Sequence, residues 1–401
     1  MKSTTSISKI PKILHVVNAL NRGGIETWLI RLLQEIDRKK FAIDICCRER
    51  ELGCLSRHAL DAGAQVRHVP WEPTGILYGP RFKKFLHKHQ YDLLHTHVPT
   101  SCGIETVAAA SLGIPAVFTG HGCSPVSQNK IVSLPGIRQI RRTLMNRSLR
   151  SAIELSSYVT AVSEGALSHL TKYSPRTDRW QALRLGVEIP PDLSTEKKGL
   201  LRKEFGLLRD TPLVIHVARF CPEKNHAGVI RIFENICDVI PNAKLLLVGD
   251  GPLRKLFQSS VQQSRHRSAI TFTGIRTDVL DLLSIANVFL FPSISEGLGA
   301  ACLEAGAAGL PVIASDIPGL NETVVHQKTG ELHPVTHEVA MAESACHFLR
   351  NQEYAKSIGR NARTYVLQNY SIKRSGNQLC DIYESALRKN DARKYDSYWH
   401  I

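Results

Sequence analysis

The feature that most constrains the fold is a twice-repeated alternation of short apolar segments with longer amphipathic ones. Apolar runs of strand length separated by helical patterns are typical of βα units, in which helices join parallel strands. The chain has 401 residues, whereas a single hydrophobic core usually stops growing at roughly 250–300 residues. We therefore expect two α/β domains, each built on a doubly wound parallel sheet.

Thirteen segments fit the strand pattern, and they divide between the two halves of the chain. Those of the first half are 13–17, 42–47, 65–69, 92–97, 115–120, 158–163 and 180–186. Those of the second half are 213–218, 244–249, 270–273, 288–292, 312–315 and 330–334. Beyond residue 334 the pattern predicts only helices, over 337–351, 353–369 and 375–389.

The domain boundary is predicted in the segment 187–198, where prolines and charges interrupt both periodicities. We assign residues 1–190 to the first domain, 196–370 to the second, and 371–401 to a terminal helix and tail. Two such domains joined by a linker create a cleft, and ligands of doubly wound sheets bind at the carboxyl ends of the strands. Functional residues are therefore expected in loops that follow strands.

Composition places the protein among ordinary folded chains, with 43% hydrophobic and 22% charged residues. No apolar run approaches the roughly 18 residues that span a bilayer, and the N-terminus lacks the pattern of a signal peptide. We therefore expect a cytoplasmic protein. The ten cysteines are scattered without a C-x-x-C pair, so we expect reduced, buried thiols and no structural zinc site.

The net charge of +15 is concentrated in the first half, where residues 1–195 carry 26 basic against 15 acidic side chains. One amphipathic stretch holds five arginines near Ile140, Leu144 and Leu149, namely Arg138, Arg141, Arg142, Arg147 and Arg150. A second holds Arg81, Lys83, Lys84 and Lys88 beside Phe82, Phe85 and Leu86. Such helices can lie on anionic lipid, although solvated helices that cover a sheet show the same pattern. No nucleic-acid-binding module accompanies the charge.

Cationic and glycine-containing loops follow the first two strands of the second half. Arg219 and Lys224 come after segment 213–218 and could neutralise a diphosphate, although an isolated pair of this spacing often lies in a solvated loop. Gly249 ends the next strand at a tight turn. Arg254 interrupts the G-x-G-x-x-G fingerprint, and the chain has no Gly-Lys dipeptide. A dinucleotide-dependent oxidoreductase and a P-loop NTPase are therefore disfavoured.

The strongest local signal is the segment after the predicted strand 288–292. Glu296 is followed by Gly297, Leu298 and Gly299, with a helix expected to begin near Leu298 and to carry Glu304 about a turn and a half later. Backbone amides and a helix N-terminus at that point suit a phosphate. Taken alone, Glu296 could simply complement the helix dipole and Glu304 could be a surface residue.

One histidine of the first half also follows a strand. His121 comes after segment 115–120 and has glycine on either side, which favours a functional role at the carboxyl end of the sheet. A structural hydrogen-bonding histidine is the alternative. His95 and His97 lie in or at the end of a strand, and we expect them to be structural.

Together these segments resemble the retaining glycosyltransferases of family four, which have the GT-B fold. The E-x7-E pattern of Glu296 and Glu304, with residues 291–293 before it and 305–314 after it, is similar to the donor-site signature of that family. Residues 21–26, 92–97, 119–122 and 160–163 resemble motifs of its first domain. The departures are Leu298, where Phe is common, and Asn225 with His226, where Gly is common.

The resemblance implies a role for each matching position. Arg219 and Lys224 would hold the donor diphosphate, assisted by amides near Leu298 and Gly299. Glu296 would bind the hydroxyls of the donor sugar and Glu304 the ribose. Gly24 and His121 of the acceptor-side first domain would face the donor from the opposite side of the cleft, with Gly249 and Gly297 lining the donor site. The helix at 375–389 would cross back to the first domain.

The resulting hypothesis is a transferase that moves a sugar from a nucleoside-diphosphate sugar to a saccharide or lipid-linked acceptor with retention of configuration. Such an enzyme would act in exopolysaccharide or lipopolysaccharide synthesis, peripheral to the inner face of the plasma membrane. No cofactor is expected, and the absence of an Asp-x-Asp motif predicts metal-independent transfer. The alternatives are a GT-B sugar-nucleotide epimerase and a non-catalytic GT-B partner subunit.

Overall fold

The computed structural model describes residues 9–71, 75, 77–122 and 135–398. Contacts divide this part of the chain into two compact units. The first unit comprises the described residues up to 121, residues 135–186 and the chain from 372 onward. The second unit comprises residues 187–371.

The first unit is built on a parallel sheet of seven strands in the order β3-β2-β1-β4-β5-β6-β7. The strands are β1 (Lys12–Val17), β2 (Ala42–Cys47), β3 (Val66–His68), β4 (Leu93–Thr96), β5 (Ala116–Gly120), β6 (Tyr158–Ala161) and β7 (Trp180–Ala182). The strand order reverses between β1 and β4, which defines a topological switch point of a doubly wound sheet.

In the described part of the first unit, six helices follow the strands and cover both faces of the sheet. They are α1 (Gly24–Glu35), α2 (Ser56–Asp61), α3 (Tyr78–His89), α4 (Cys102–Ala110), α5 (Pro135–Leu155) and α6 (Glu164–Leu170). Helix α3 packs its apolar side onto the core through Tyr78, Phe82 and Leu86, all of which are buried.

The second unit contains a parallel sheet of six strands in the order β10-β9-β8-β11-β12-β13. The strands are β8 (Leu213–Val217), β9 (Lys244–Val248), β10 (Ile270–Gly274), β11 (Val288–Phe291), β12 (Val312–Ser315) and β13 (Gly330–His333). Its switch point lies between β8 and β11. All thirteen strands of the two sheets coincide with predicted segments, so the predicted doubly wound α/β fold is confirmed.

The helices of the second unit form two apolar layers, one on each face of the sheet. They are α7 (Thr195–Glu204), α8 (His226–Val239), α9 (Arg254–Val261), α10 (Val279–Ile285), α11 (Ala300–Ala307), α12 (Leu320–Thr323), α13 (Glu338–Arg350) and α14 (Gln352–Asn369). Helix α7 begins inside the predicted linker, because the Ser194 hydroxyl caps it by accepting a hydrogen bond from the backbone N–H of Lys197 at 3.2 Å.

The last helix, α15 (Ile372–Tyr398), belongs to the first unit. It packs on α1, where the indole N–H of Trp28 donates to the hydroxyl of Ser375 at 3.0 Å, and Tyr383 is fully buried. The predicted return of the C-terminal helix to the first domain is therefore confirmed. None of the helices in the described part of the chain combines the length and the apolarity needed to cross a bilayer.

The nine cysteines in the described residues are all unpaired. Six of them are buried, and burial raises the pKa of the Cys47 and Cys102 thiols to about 12. These thiols therefore remain protonated at neutral pH and behave as small apolar side chains.

Two helical glycines of the second unit provide a matched stability test. A Cβ on Gly359 in α14 would lie 1.9 Å from the carbonyl oxygen of Gly309, whereas a Cβ on exposed Gly199 in α7 would meet nothing within 4 Å. We expect Gly359→Ala to lower the free energy of unfolding by about 2 kcal/mol or more through the clash. Gly199→Ala should raise it by up to about 1 kcal/mol through helix propensity. Urea unfolding would contradict this account if both changes shifted stability alike.

Candidate functional site

The loop after β11 is shaped by Gly299, which has a φ of +80° and precedes the first residue of α11. A Cβ on Gly299 would lie 2.2 Å from Cδ2 of Leu320, so both the conformation and the space require glycine. The sequence predicts a helix that starts near Leu298, and this prediction is wrong because the left-handed backbone at Gly299 prevents a start there. Helix α11 begins at Ala300, which places Glu304 just over one turn into it.

Lys224 and Glu296, which are 72 residues apart, form an ion pair between Nζ and Oε1. They meet because β8 and β11 are neighbours at the switch point, so the loops that follow these strands share one edge of the sheet. The carboxylate of Glu296 is buried, the side chain of Lys224 is 23% exposed, and Nζ lies 5.1 Å from the centre of the Phe291 ring. The pair is thus partly shielded from solvent.

Asn225 holds the turn that carries Lys224 in place. It adopts a left-handed conformation with φ 50° and ψ 47°, which asparagine tolerates better than most residues. Its Nδ2 donates to the carbonyl of Pro292 at 3.0 Å, and its Oδ1 accepts from the N–H of Gly228 at 3.1 Å. The sequence had indicated Asn225 only as a departure from the family glycine, although its tolerance of positive φ was a usable signal.

Arg219 lies just after β8, in the same loop as Lys224. Its side chain is exposed and forms no hydrogen bond or ion pair with another residue described in the structure. Such a guanidinium in the loop of Lys224 is available to an anion. Its role at a diphosphate stays a prediction.

Gly249 has a different and local explanation. Its φ is +130°, and a Cβ would lie 2.1 Å from the carbonyl oxygen of Ala218. The close approach of the ends of β8 and β9 therefore requires glycine whether or not a ligand binds there. A donor contact at Gly249 stays a prediction.

The remaining predicted donor contacts lie around the start of α11. The side chain of Leu298 is only 4% exposed, so a ligand can meet this residue only through its backbone. Gly297 and Glu304 are half-buried. Gly299 provides no side-chain cap for α11, and the N-terminus of a helix carries amides that suit an anion.

In the first unit, Gly24 follows β1 and His121 follows β5. Gly24 is the exposed first residue of α1, and a Cβ there would meet nothing within 4 Å. Nε2 of His121 lies 2.8 Å from Nδ1 of His97, whereas its Nδ1 is buried without a partner among the described residues. Burial lowers the pKa of His121 to about 3, so the ring is neutral at pH 7.

His121 is half-buried and adjoins a group of buried histidines. His95 and His97 are joined by His15, which lies directly opposite His95 in the parallel pairing of β1 with β4. Nδ1 of His15 is 2.9 Å from Nε2 of His97. The sequence patterns did not identify His15 as a functional residue, although a polar residue inside an otherwise apolar strand was a usable signal.

The chain matches two family descriptions that together cover most of its length. Residues 22–189 match Glycosyltransferase Family 4, and residues 197–365 match Glycosyl transferases group 1. Among relatives, the chain is 25% identical to the UDP-Gal:alpha-D-GlcNAc-diphosphoundecaprenol alpha-1,3-galactosyltransferase of Escherichia coli, covering 96% of this chain and 98% of that protein. It is 26% identical to the N-acetyl-alpha-D-glucosaminyl L-malate synthase of Bacillus anthracis, covering 79% and 81% respectively.

Solved structures agree on the fold. Anabaena Alr3699/HepE in complex with UDP superposes with a TM-score of 0.78 at 20% identity, covering 93% of this chain and 100% of that one. WaaG, a glycosyltransferase involved in lipopolysaccharide biosynthesis, superposes with a TM-score of 0.72 at 17% identity, covering 92% and 99%. At these identities the likeness concerns the fold.

The Lys224–Glu296 pair predicts a measurable coupling. Lys224→Met leaves a buried carboxylate without its partner, so this single change should destabilise the protein, whereas adding Glu296→Gln should restore part of the loss. We expect a coupling free energy of about 1–3 kcal/mol in a double-mutant cycle followed by urea unfolding. The exposed pair Lys356 and Glu353 is the control and should show a much smaller coupling, because solvent screens its charges. Equal coupling in both pairs would contradict the buried pairing.

Proposed function

Because the chain belongs to the family-four glycosyltransferases and has their GT-B fold, we propose that it transfers a sugar from a nucleoside-diphosphate sugar to a saccharide or lipid-linked acceptor. We place this reaction in the synthesis of a cell-surface polysaccharide. The observation that carries the proposal is the meeting of Lys224 and Glu296 beside the glycine turn that opens α11. Cation, carboxylate and open amides are thereby gathered at one edge of the second sheet.

In this proposal the leaving diphosphate is stabilised by charge. When the bond between the anomeric carbon and the diphosphate breaks, negative charge accumulates on the leaving oxygen. Arg219 supplies an exposed guanidinium and Lys224 an ammonium, while the amides at Leu298 and Gly299 lie at the N-terminus of α11. The ion pair with Glu296 holds Lys224 in a defined position before the donor arrives.

The two carboxylates take the polar groups of the donor. Glu296, at the loop, accepts hydrogen bonds from hydroxyls of the sugar, and Glu304, one turn into α11, accepts from the ribose. The acceptor attacks on the face that the diphosphate leaves, and a donor phosphate oxygen takes the acceptor proton. Configuration is then retained without a protein nucleophile. In the first unit, His121 offers a ring nitrogen to a hydroxyl of the ligand.

The names of relatives and neighbours direct the choice of ligands. The Escherichia coli relative is named for UDP-Gal and a diphosphoundecaprenol acceptor, and the Anabaena structure holds UDP. UDP-sugars and polyprenyl-diphosphate saccharides are therefore the first donors and acceptors to test. We further propose that transfer needs no metal, since no Asp-x-Asp motif is present and the diphosphate charge is met by Arg219 and Lys224.

A transfer assay with a panel of UDP-sugars tests the proposal. We expect Glu296→Gln and Lys224→Ala each to lower kcat by about 100-fold or more, as loss of a group aimed at developing charge does. Glu353→Gln, an exposed carboxylate of α14, is the control and should leave kcat unchanged. EDTA should change little, and NMR of the product should show the anomeric configuration of the donor.

Three outcomes of that assay would contradict parts of the proposal. Isomerised donor without transfer would indicate an epimerase, and donor binding without any reaction would indicate a non-catalytic subunit. Activity that disappeared with EDTA and returned with manganese would show that the metal-free mechanism is wrong.

We also propose that the enzyme attaches peripherally to the inner face of the plasma membrane through α5. Ile140 and Leu144 on this helix are 61% and 59% exposed, although each is a large apolar residue. Arg142 and Arg147 on the same helix are exposed as well. Exposed apolar side chains flanked by arginines suit a surface of anionic lipid. The side chains of Arg138 and Arg141, part of the predicted set, lie outside the described residues.

The second basic stretch does not share this property. In α3, Phe82 and Leu86 are buried in the core of the first unit, so this helix has no free apolar side to insert. Its lysines Lys83, Lys84 and Lys88 are exposed and act there as solvated charges. The membrane proposal therefore rests on α5.

Sedimentation with vesicles of anionic phospholipid tests this attachment. We expect Ile140→Ser with Leu144→Ser to weaken binding by about 100-fold or more, because each of the two buried apolar side chains contributes roughly 1.5 kcal/mol or more. Replacing the three exposed arginines Arg142, Arg147 and Arg150 by Gln should weaken it further and reduce its salt dependence. Replacing the three α3 lysines by Gln is the charge-matched control. The proposal would be contradicted if the unaltered protein did not bind the vesicles, or if the arginine and lysine replacements weakened binding equally.

A further inference from the structure

One face of the sheet in the first unit carries a row of polar side chains that a core would not ordinarily contain. Alternation along each strand places residues two apart on the same face, and β1 pairs with β4 and β5 with β6 in register. Helices α1 and α15 cover this face. The members of the row are His15, His95, His97, Thr119, His121 and Thr160, together with Tyr383 from α15.

These side chains form one continuous chain of hydrogen bonds. From its outer end, Nε2 of His121 lies 2.8 Å from Nδ1 of His97. Nε2 of His97 lies 2.9 Å from Nδ1 of His15, and Nε2 of His15 lies 2.7 Å from the hydroxyl of Tyr383. Each ring nitrogen of His15 and His97 is thus used once.

Beyond the tyrosine, the chain of hydrogen bonds continues to the interior of the sheet. The hydroxyl of Tyr383 lies 2.7 Å from Nδ1 of His95, and Nε2 of His95 lies 2.6 Å from Oγ1 of Thr119. Thr119 in turn lies 2.5 Å from Oγ1 of Thr160. Thr160 ends the chain by donating to the backbone carbonyl of Phe118 at 3.2 Å.

That carbonyl can only accept, which bears on the direction of the last bonds. Either threonine hydroxyl could donate in the bond between Thr119 and Thr160. The opposite direction would put the proton of His121 on Nδ1, which is buried without an acceptor among the described residues. We therefore assign the hydroxyl proton of Thr160 to Phe118, so that Thr160 accepts from Thr119. Thr119 has then used its own proton and must accept from His95. Nε2 of His95 therefore carries a proton, and its Nδ1 is an acceptor.

The remaining hydrogen bonds, from His95 to His121, run in the same direction, because each imidazole ring is neutral and has one N–H. Burial lowers the pKa of His15 and His121 to about 3 and the pKa values of His95 and His97 well below the usual range. Tyr383 consequently donates to His95 and accepts from Nε2 of His15. His15 accepts from Nε2 of His97, and His97 accepts from Nε2 of His121.

We propose that this chain of hydrogen bonds selects the tautomer of His121, with the proton on Nε2 and an unprotonated Nδ1 that accepts from a hydroxyl of the ligand. The inference rests on the proposed function in assigning a saccharide hydroxyl to His121. Nδ1 of His121 is buried without a partner among the described residues, as an acceptor reserved for a ligand would be. The other members of the chain are positioning residues, which act on the ligand only through His121.

A metal site is the competing interpretation of the same cluster. Ring nitrogens of His15, His95 and His97 lie within 4.8 Å of one another, a spacing that could hold a cation. All six nitrogens of these rings are already hydrogen-bonded, and a metal would have to break several of those bonds. The hydrogen-bonded arrangement satisfies every polar atom of the three rings, which favours it.

The decisive variant is Thr119→Val, which keeps the branched shape and removes the hydroxyl that accepts from His95 and donates to Thr160. A buried N–H without a partner is costly, and in this variant one must lie either at Nε2 of His95 in the core or at Nδ1 of His121 at the outer end. His95 is fully buried whereas His121 is only half-buried, so the proton of His95 should move to Nδ1 and leave the unpaired N–H on His121. That move reverses every bond as far as His121, whose proton should shift from Nε2 to Nδ1. The change would therefore be read out five hydrogen bonds away from the substitution.

Imidazole ¹⁵N NMR of the full chain, with the His121 signals assigned from His121→Gln, measures the tautomer directly. We expect the Nε2–H form in the unaltered protein and a shift to the Nδ1–H form in Thr119→Val. Thr106→Val is the matched control, because the Thr106 hydroxyl is buried in the same unit but donates to the carbonyl of Cys102 within its own helix. It should leave the His121 signals unchanged.

The transfer assay adds a second readout. Thr119→Val should lower kcat by about tenfold, the effect of losing one neutral hydrogen bond, with little change in KM for the donor, whereas Thr106→Val should leave both unchanged. The NMR measurement needs neither donor nor acceptor, so it remains decisive even if no sugar is transferred.

Three results would overturn the inference. They are an Nδ1–H tautomer of His121 in the unaltered protein, an unchanged His121 tautomer in Thr119→Val, and one equivalent of zinc retained through gel filtration by the unaltered protein but lost in His95→Ala.

Discussion

The parallel hydrogen-bonded ladders of the two sheets are the constraint on which the rest of the structure depends. A parallel strand can return to its sheet only through a crossover, so the loops that follow the strands gather at one edge. Where strand order reverses, adjacent loops diverge and leave room for side chains. In the second unit this happens between β8 and β11, and Lys224 and Glu296 meet there. Neither residue has any local reason to pair with the other.

The two units stabilise buried polar groups by different means. In the second unit, a carboxylate that burial would otherwise penalise is matched by a cation of the adjacent loop. In the first unit, four histidines and a tyrosine remain uncharged and satisfy one another through a directional chain of hydrogen bonds. The first arrangement places charge where a diphosphate could compete for it. The second places a neutral acceptor at the end of β5.

Much of the fold could be predicted because local signals and packing agree. Strands buried on both faces are continuous apolar runs, and each of the thirteen predicted segments overlaps a strand. The predicted and observed structures differ at the ends of helices, where a single residue can determine the first helical position. Gly299 delays α11 to Ala300 through a left-handed backbone, and Ser194 starts α7 inside the predicted linker by capping it. Helix propensity summed over a stretch of sequence does not resolve such single-residue effects.

The sequence by itself determined the residue types of the candidate site and the strands that they follow, because motif spacing and apolar periodicity are local properties. Tertiary structure alone decided which of those residues meet. The pairing of Lys224 with Glu296 depends on strand order, and the link from His121 to Tyr383 spans 262 positions of the chain. Such contacts follow from the register of neighbouring strands and from the return of α15 to the first unit, which no local pattern encodes.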